Sequence, residues 1–278
     1  MSADFKTEKM YTYLKGYCSA MNWQDALSAL TFARTMHDGQ SRKDGSPYLV
    51  HPLTIACHAA ALNIRSESVI AACLLHDVVE DCNVTVEELP VQSQAIKDAV
   101  RRLTHVKPTP LAVYYKGIAE NSVATVVKLL DRCDNVSTMA GVFSLEKTAA
   151  YIRETNEYVL PLYRTAKNLW PQYSDALFVL KYHIMSVVDG LQAVMEETRK
   201  AELEKKLSTP LGRVIKSHIE KHGCGLRDVA EELGMTQDNL EAYIAGTAVP
   251  NGRILGQMAK LTGTGTDELK KLLQVGKA

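Results

Sequence analysis

Residues 23–36 read WQDALSALTFARTM, and their spacing decides the fold class. Ala26, Leu27, Leu30, Phe32 and Ala33 recur close to i, i+3, i+4, the stripe an amphipathic helix turns towards a core. Working outward, residues 52–62, 67–81 and 123–139 are equally rich in Ala, Leu and Val and almost free of breakers. No stretch sustains apolar–polar alternation, and no turn dipeptide joins two β-branched runs. The expectation is an all-α chain.

Composition narrows the class. The 278 residues carry 46% hydrophobic and 23% charged side chains, an ordinary globular balance. Lys+Arg and Asp+Glu both number 32, so bulk charge advertises neither nucleic acid nor a membrane surface. The opening MSADFKTEKM lacks the apolar segment of a secretory signal. No apolar run is expected to reach the roughly 18–20 residues of a membrane span. The six cysteines, Cys18, Cys57, Cys73, Cys82, Cys133 and Cys224, form no CxxC pair. That pattern suits reduced thiols and a cytoplasmic location rather than a disulfide framework or zinc knuckle.

From residue 144 to 206 the pattern lengthens and gains charge, ending in MEETRKAELEKKL, and reads as a solvated helical linker. Ser208-Thr209-Pro210 breaks it, and Pro in a first turn restarts a helix. The expected domains are therefore 1–207 and 208–278. The second reads as five short helices. LRDVAEELG and TQDNLEAYIAG are joined by a turn in which Gly234 supplies backbone freedom and Thr236 the N-cap.

The chemistry lies in three blocks: HDGQSRKDGSPYLVHPL (37–53), LLHDVVEDCNVTVEEL (74–89) and VVKLLDRCDNVSTM (126–139). If residues 67–81 are one helix, His76 and Glu80 stand one turn apart, as do Asp77 and Asp81. These groups follow the apolar run VIAACLL, and unpaired charges there are costly. A divalent metal is an economical partner. His76 alone would read as a hydrogen-bonded core histidine. His51, His76-Asp77 and Asp131 together form the H…HD…D series of HD-superfamily phosphohydrolases. Two imidazoles and two carboxylates suit Mn²⁺ or Fe²⁺ and do not exclude Zn²⁺.

The same blocks, with Arg153–Thr155 and Pro161-Leu162, resemble the (p)ppGpp hydrolase domain of the RelA/SpoT family over roughly residues 24–165. Nothing resembles that family's synthetase, TGS or ACT regions. The resemblance implies His51, His76, Asp77 and Asp131 as ligands of one ion, usually Mn²⁺. It implies that Glu80 and Asp81 orient and deprotonate the attacking water. It also implies that Arg42 meets the base, Lys43 the phosphates, and Asn135 and Thr138 the nucleotide sugar and phosphates. A planar guanidinium stacks on purines and a compact ammonium meets phosphate charge, so the residue types suit these roles. This chain departs from the family at two positions. Asp44 stands where a small residue is common, and Asp134 where His is usual. His37 reads as a structural histidine at a helix end. His58, His105, His183, His218 and His222 read as surface or packing residues.

Residues 211–273 resemble an XRE/Cro-type helix-turn-helix domain. Its candidate recognition helix offers Gln237 and Asn239 but also Asp238 and Glu241, with no Lys or Arg. Nine Lys/Arg against eight Asp/Glu from residue 209 onward leave little charge for phosphate neutralisation. A protein partner or self-association through 208–278 is therefore favoured over DNA. The expected activity is removal of the 3′-pyrophosphate from ppGpp or pppGpp, and the architecture suggests an antidote to an alarmone-producing toxin. The rival readings are hydrolysis of another nucleotide (NADPH or a dNTP) and a DNA-binding regulator or antitoxin that uses the HD fold as a ligand sensor.

Overall fold

The computed structural model describes residues 3–275, whose regular structure is helical apart from one isolated bridge between Ser41 and Pro47. They fall into two compact units that divide at Gln192/Ala193. The first contains α1 (Ala3–Ala20), α2 (Gln24–Met36), α3 (Val50–Ala61), α4 (Glu67–Leu75) and α5 (Val78–Asp81). It continues with α6 (Gln94–Leu103), α7 (Leu111–Ala119), α8 (Ser122–Thr138), α9 (Leu145–Glu154) and α10 (Leu160–Leu169). The long α11 (Ser174–Leu207) begins in this unit.

At its centre is α4, with every residue from Val69 to Leu75 buried. A helix apolar on all sides must be covered on all sides, and α2, α3, α6 and α8 pack around it. Ser66 starts α4 by accepting the Val69 N–H at 3.4 Å. The sequence reading of one helix over 67–81 needs correction here. The helix is interrupted at His76-Asp77 and resumes as the single turn α5. Asp77 has φ −98° and ψ −13°, which opens the turn, although Asp81 N–H still reaches the Asp77 carbonyl at 2.8 Å.

Residues 144–192 are not a solvated linker. Ile152, Val159, Leu162, Ala166, Leu177, Leu180, Ile184 and Val188 are all buried. Between α9 and α10, residues Thr155–Val159 widen into a π-turn. Pro161 follows in the first turn of α10, and without an N–H it cannot bond back to residue 157.

The expectation of no span-length apolar run also needs correction. The helical stretch 171–207 contains an 18-residue window with mean hydropathy 1.3, long and apolar enough by composition to cross a membrane. Two faces produce that average. Leu177, Leu180, Ile184 and Val188 face the core, while Phe178, Val179 and Tyr182 are exposed.

The second unit takes in the last turns of α11, then α12 (Pro210–His222), α13 (Leu226–Glu232), α14 (Gln237–Ile244), α15 (Gly252–Thr262) and α16 (Thr266–Val275). It begins at Ala193, ahead of the helix break, because Leu203 and Leu207 pack into its core of Leu211, Ile215, Val229, Leu240, Ile244 and Met258. Thr209 caps α12 through the Gly212 N–H at 3.0 Å, with Pro210 in its first turn. Gly234 adopts φ +70° between α13 and α14, and Thr236 accepts the Asn239 N–H at 3.3 Å.

Candidate active site

The first turn of α3, the α4–α5 junction and the middle of α8 converge on a cleft of about 550 Å³. All ten residues expected to bind metal, handle water or contact nucleotide line it: Arg42, Lys43, His51, His76, Asp77, Glu80, Asp81, Asp131, Asn135 and Thr138.

The deepest part is a four-residue donor cluster. His51, His76 and Asp77 present one ligand atom each, all within 4.8 Å of one another. His51 Nε2 lies 3.2 Å from His76 Nε2, 3.2 Å from Asp131 Oδ1 and 3.7 Å from Asp77 Oδ2. Asp131 Oδ1 is 3.8 Å from His76 Nε2. Neighbours bond to all four side chains. His76 Nδ1 faces the Cys73 carbonyl at 2.9 Å, and His51 Nδ1 faces Asp134 Oδ2 at 2.6 Å. Tyr48 donates its hydroxyl to Asp77 Oδ2 at 2.7 Å. Lys128 Nζ reaches Asp131 Oδ2 at 3.0 Å, and Asn135 Nδ2 donates to Asp131 Oδ1.

Charge is concentrated here at the expense of solvation. Burial opposes ionisation of Asp131, yet Lys128 and the two imidazoles hold it well below the ordinary carboxylate range. Burial likewise pushes Asp77 up, and His76 and His51 more than reverse it. Burial also works against a charged His51, but hydrogen bonds to Asp131 and Asp134 and the charge of Asp77 carry its pKa up to about 10. The cluster therefore favours a cation at its centre. Two imidazole nitrogens and the Asp77 carboxylate grouped within 4.8 Å, with Asp131 Oδ1 3.2 Å from His51 Nε2, fit a borderline divalent ion.

The other end of the cleft is polar and basic. The guanidinium of Arg42 donates to Asp134 Oδ2, Asn135 Oδ1 and Thr138 Oγ1, each at 3.3 Å. These bonds cross more than ninety residues of sequence. Asp44, one of the two departures from the family pattern, has a local task. It accepts the Ser46 N–H at 2.9 Å and the Ser46 hydroxyl at 2.6 Å. This fixes the tight turn through Gly45 (φ +81°) that presents Arg42 and Lys43. Lys43 and Lys147 approach one ring, Phe143, at 5.3 and 3.8 Å. Glu80 accepts the His105 backbone N–H at 3.2 Å, and Asp81 lines the wall beside it.

Several contributors escaped the sequence reading. Asp134 stood out only as a departure, and Tyr48, Lys128, His105 and Lys147 carried no role. Lys128 had one usable signal, its i−3 spacing from Asp131. His105 lines the cleft with its Nε2 2.7 Å from the Thr109 carbonyl, so it is more than a packing residue. His37 matches its expected structural role, since it faces Gln40 Oε1 at 2.8 Å and stacks on Tyr48 with ring centroids 4.7 Å apart. Arg132 is fully buried, donating to Glu154, to the Tyr115 hydroxyl at 2.9 Å and to Thr155 at 3.2 Å. It braces the cleft floor.

Comparison with known proteins agrees with this geometry. A family profile described as an HD domain matches residues 29–108, which include His51, His76, Asp77, Glu80 and Asp81 but end before Asp131. The chain is 32% identical over 205 residues to a guanosine-3′,5′-bis(diphosphate) 3′-pyrophosphohydrolase of Aquifex aeolicus, covering 70% of this chain and 29% of that protein. It is 33% identical over 142 residues to the Vibrio cholerae protein of the same name, covering 47% and 20%. The chain thus spans less than a third of the length of these curated relatives. A solved structure of a metazoan SpoT orthologue that hydrolyses ppGpp aligns with TM-score 0.51 at 22% identity, covering 60% of this chain and 95% of that one.

Proposed function

From an all-α chain whose residues 29–108 match an HD-domain family, we propose a metal-dependent hydrolase that removes the 3′-pyrophosphate of ppGpp or pppGpp. One observation carries the reading: a single cleft joins the His51, His76, Asp77, Asp131 donor cluster to a basic end built on Arg42, Lys43, Asn135 and Thr138. A (p)ppGpp molecule has that shape, with a labile phosphorus between a polyanionic tail and a guanine. The similarity to named 3′-pyrophosphohydrolases supports the same substrate.

His51, His76, Asp77 and Asp131 would hold the ion, and Mn²⁺ suits their mixed N/O set. A bound divalent ion supplies Lewis acidity and makes water a stronger acid. Glu80 and Asp81, on the turn beside the cluster, orient that water and take its proton. Water attacks the phosphorus bonded to O3′, the P–O3′ bond breaks, pyrophosphate departs with the incoming oxygen, and O3′ is protonated. The products are GDP or GTP and pyrophosphate. Arg42 lies against the base, while Lys43, Asn135 and Thr138 engage sugar and phosphates.

Residues 1–207 form the catalytic part and 208–278 an XRE/Cro-like helix-turn-helix module for a protein partner or a second copy. Support comes from α14. Gln237, the best candidate for reading a base, donates to Glu241 at 2.9 Å, and Glu241 pairs with Lys206 at 2.6 Å. A cytoplasmic location follows from six free thiols. An antidote role against an alarmone-producing toxin follows from joining such a hydrolase to such a module.

The test incubates chelator-stripped chain with Mn²⁺ and, separately, ppGpp, NADPH and dGTP, and then identifies products. GDP and pyrophosphate only with ppGpp, only with metal, is the expected result. Turnover of NADPH or dGTP alone would move the chain to another nucleotide. Binding of ppGpp without turnover would favour a sensor.

A further inference from the structure

Asp134 stands behind the cleft wall and joins its two ends through one lining residue of each, His51 and Arg42. It is 5% exposed and lies one helical turn after Asp131 on α8. A single oxygen, Oδ2, accepts Nδ1–H of His51 at 2.6 Å and an N–H of Arg42 at 3.3 Å. The second imidazole of the cluster differs, because His76 Nδ1 is backed by the neutral Cys73 carbonyl. A carboxylate behind an imidazole fixes the tautomer, directs the opposite nitrogen and strengthens it as a ligand. An arginine on the same oxygen withdraws part of that effect. The departure at Asp134 thus places a charge where the resemblance leads one to expect a neutral or weakly basic ring.

We propose that Asp134 is a positioning residue that relays between the nucleotide end and the metal end of the cleft. With Arg42 on Asp134, His51 is the weaker ligand. When a nucleotide draws Arg42 away, the carboxylate turns wholly to His51 and the metal site tightens. Substrate and metal then reinforce each other's binding, and by linkage the reinforcement is reciprocal. The relay rests on reading His51, His76, Asp77 and Asp131 as the metal ligands.

The test measures Mn²⁺ dissociation constants by competition with an indicator chelator, on the full chain without nucleotide. The variants are Asp134→Asn, Arg42→Met and the double substitution. Asp134→Asn keeps the shape and an accepting oxygen but loses the charge, so Mn²⁺ should bind about 10- to 100-fold more weakly. Arg42→Met should tighten Mn²⁺ several-fold in the wild-type background and much less in the Asp134→Asn background. The low-field proton resonance of His51 Nδ1–H should move in both single variants, which a merely structural role for Asp134 would not produce. Asp134→His provides a second variant if Asp134→Asn fails to fold, and it too should bind Mn²⁺ more weakly. Wild-type Mn²⁺ affinity in the folded Asp134 variants would overturn the relay, as would an equal Arg42→Met effect in both backgrounds. A wild-type chain that binds no Mn²⁺ would sink the ligand assignment as well.

Discussion

Lys128 Nζ lies 3.0 Å from Asp131 Oδ2, three residues along the same helix, with both side chains largely buried. This pair lets α8 carry the Asp131 carboxylate into the core. Removing one partner of a buried pair leaves the other charge uncompensated, at a cost of about 3 kcal/mol. Lys128→Met should therefore lower the urea midpoint of metal-free protein, and Mn²⁺ should restore part of the loss by placing a cation beside Asp131. An unchanged midpoint without metal would show that the ion pair contributes nothing to stability.

Asp77→Asn and Asp81→Asn should fail for different reasons, although both residues line the same cleft. Asp77 belongs to the donor cluster, so its amide variant should lose metal and activity together. Asp81 is proposed to act on water rather than on the ion. Asparagine there cannot accept a proton, and turnover should fall roughly 10²- to 10⁴-fold with metal retained. Elemental analysis and single-turnover rates on ppGpp separate the two. Loss of metal from Asp81→Asn would reverse the assignment.

Gly212 has no room for a side chain. A Cβ there would fall 2.7 Å from the Leu207 Cα and closer still to the Lys206 carbonyl. Both obstacles are backbone, so they cannot rotate away. Gly212→Ala should destabilise the second unit by about 1–3 kcal/mol, the range for overpacking. Because every proposed catalytic residue precedes residue 192, a chain ending at Leu207 should still hydrolyse ppGpp. A folded but inactive truncated chain would mean that the second unit contributes to the chemistry.

Three thiols set an alkaline limit. Burial raises Cys18 to about 11, and Cys57 and Cys133 to about 12, from an ordinary 9.0. The fold keeps each thiol protonated while the unfolded chain ionises. Their contribution is complete below pH 9 and disappears as pH climbs towards 11–12. The slope approaches about 1.4 kcal/mol per thiol per pH unit. Urea midpoints at pH 8 and pH 10 should diverge, and replacing all three by alanine should flatten that dependence. An identical alkaline slope in the triple variant would rule these three thiols out as its source and leave Cys73, which burial also raises.

Local spacing alone dictated the helical class, the order His51, His76-Asp77, Asp131, the helix restart at Pro210 and the cap Thr236. Each is written locally: apolar spacing at the helical period, a side-chain oxygen before a first turn, a proline just inside it. It could not show that the helix breaks at His76-Asp77, since both residues keep nearly helical dihedrals and the apolar run simply ends. Nor could it show what Asp134, marked only as a departure, does three residues after Asp131. Asp131 became a member of the donor cluster and Asp134 the support of His51 only when α3 packed against α8. That packing brought residues 83 apart in sequence to within 2.6 Å. Tyr48, Lys128 and His105 acquired their places in the same way. Their partners lie on other turns or other helices, and only burial, which makes an unpaired charge expensive, selects the partner.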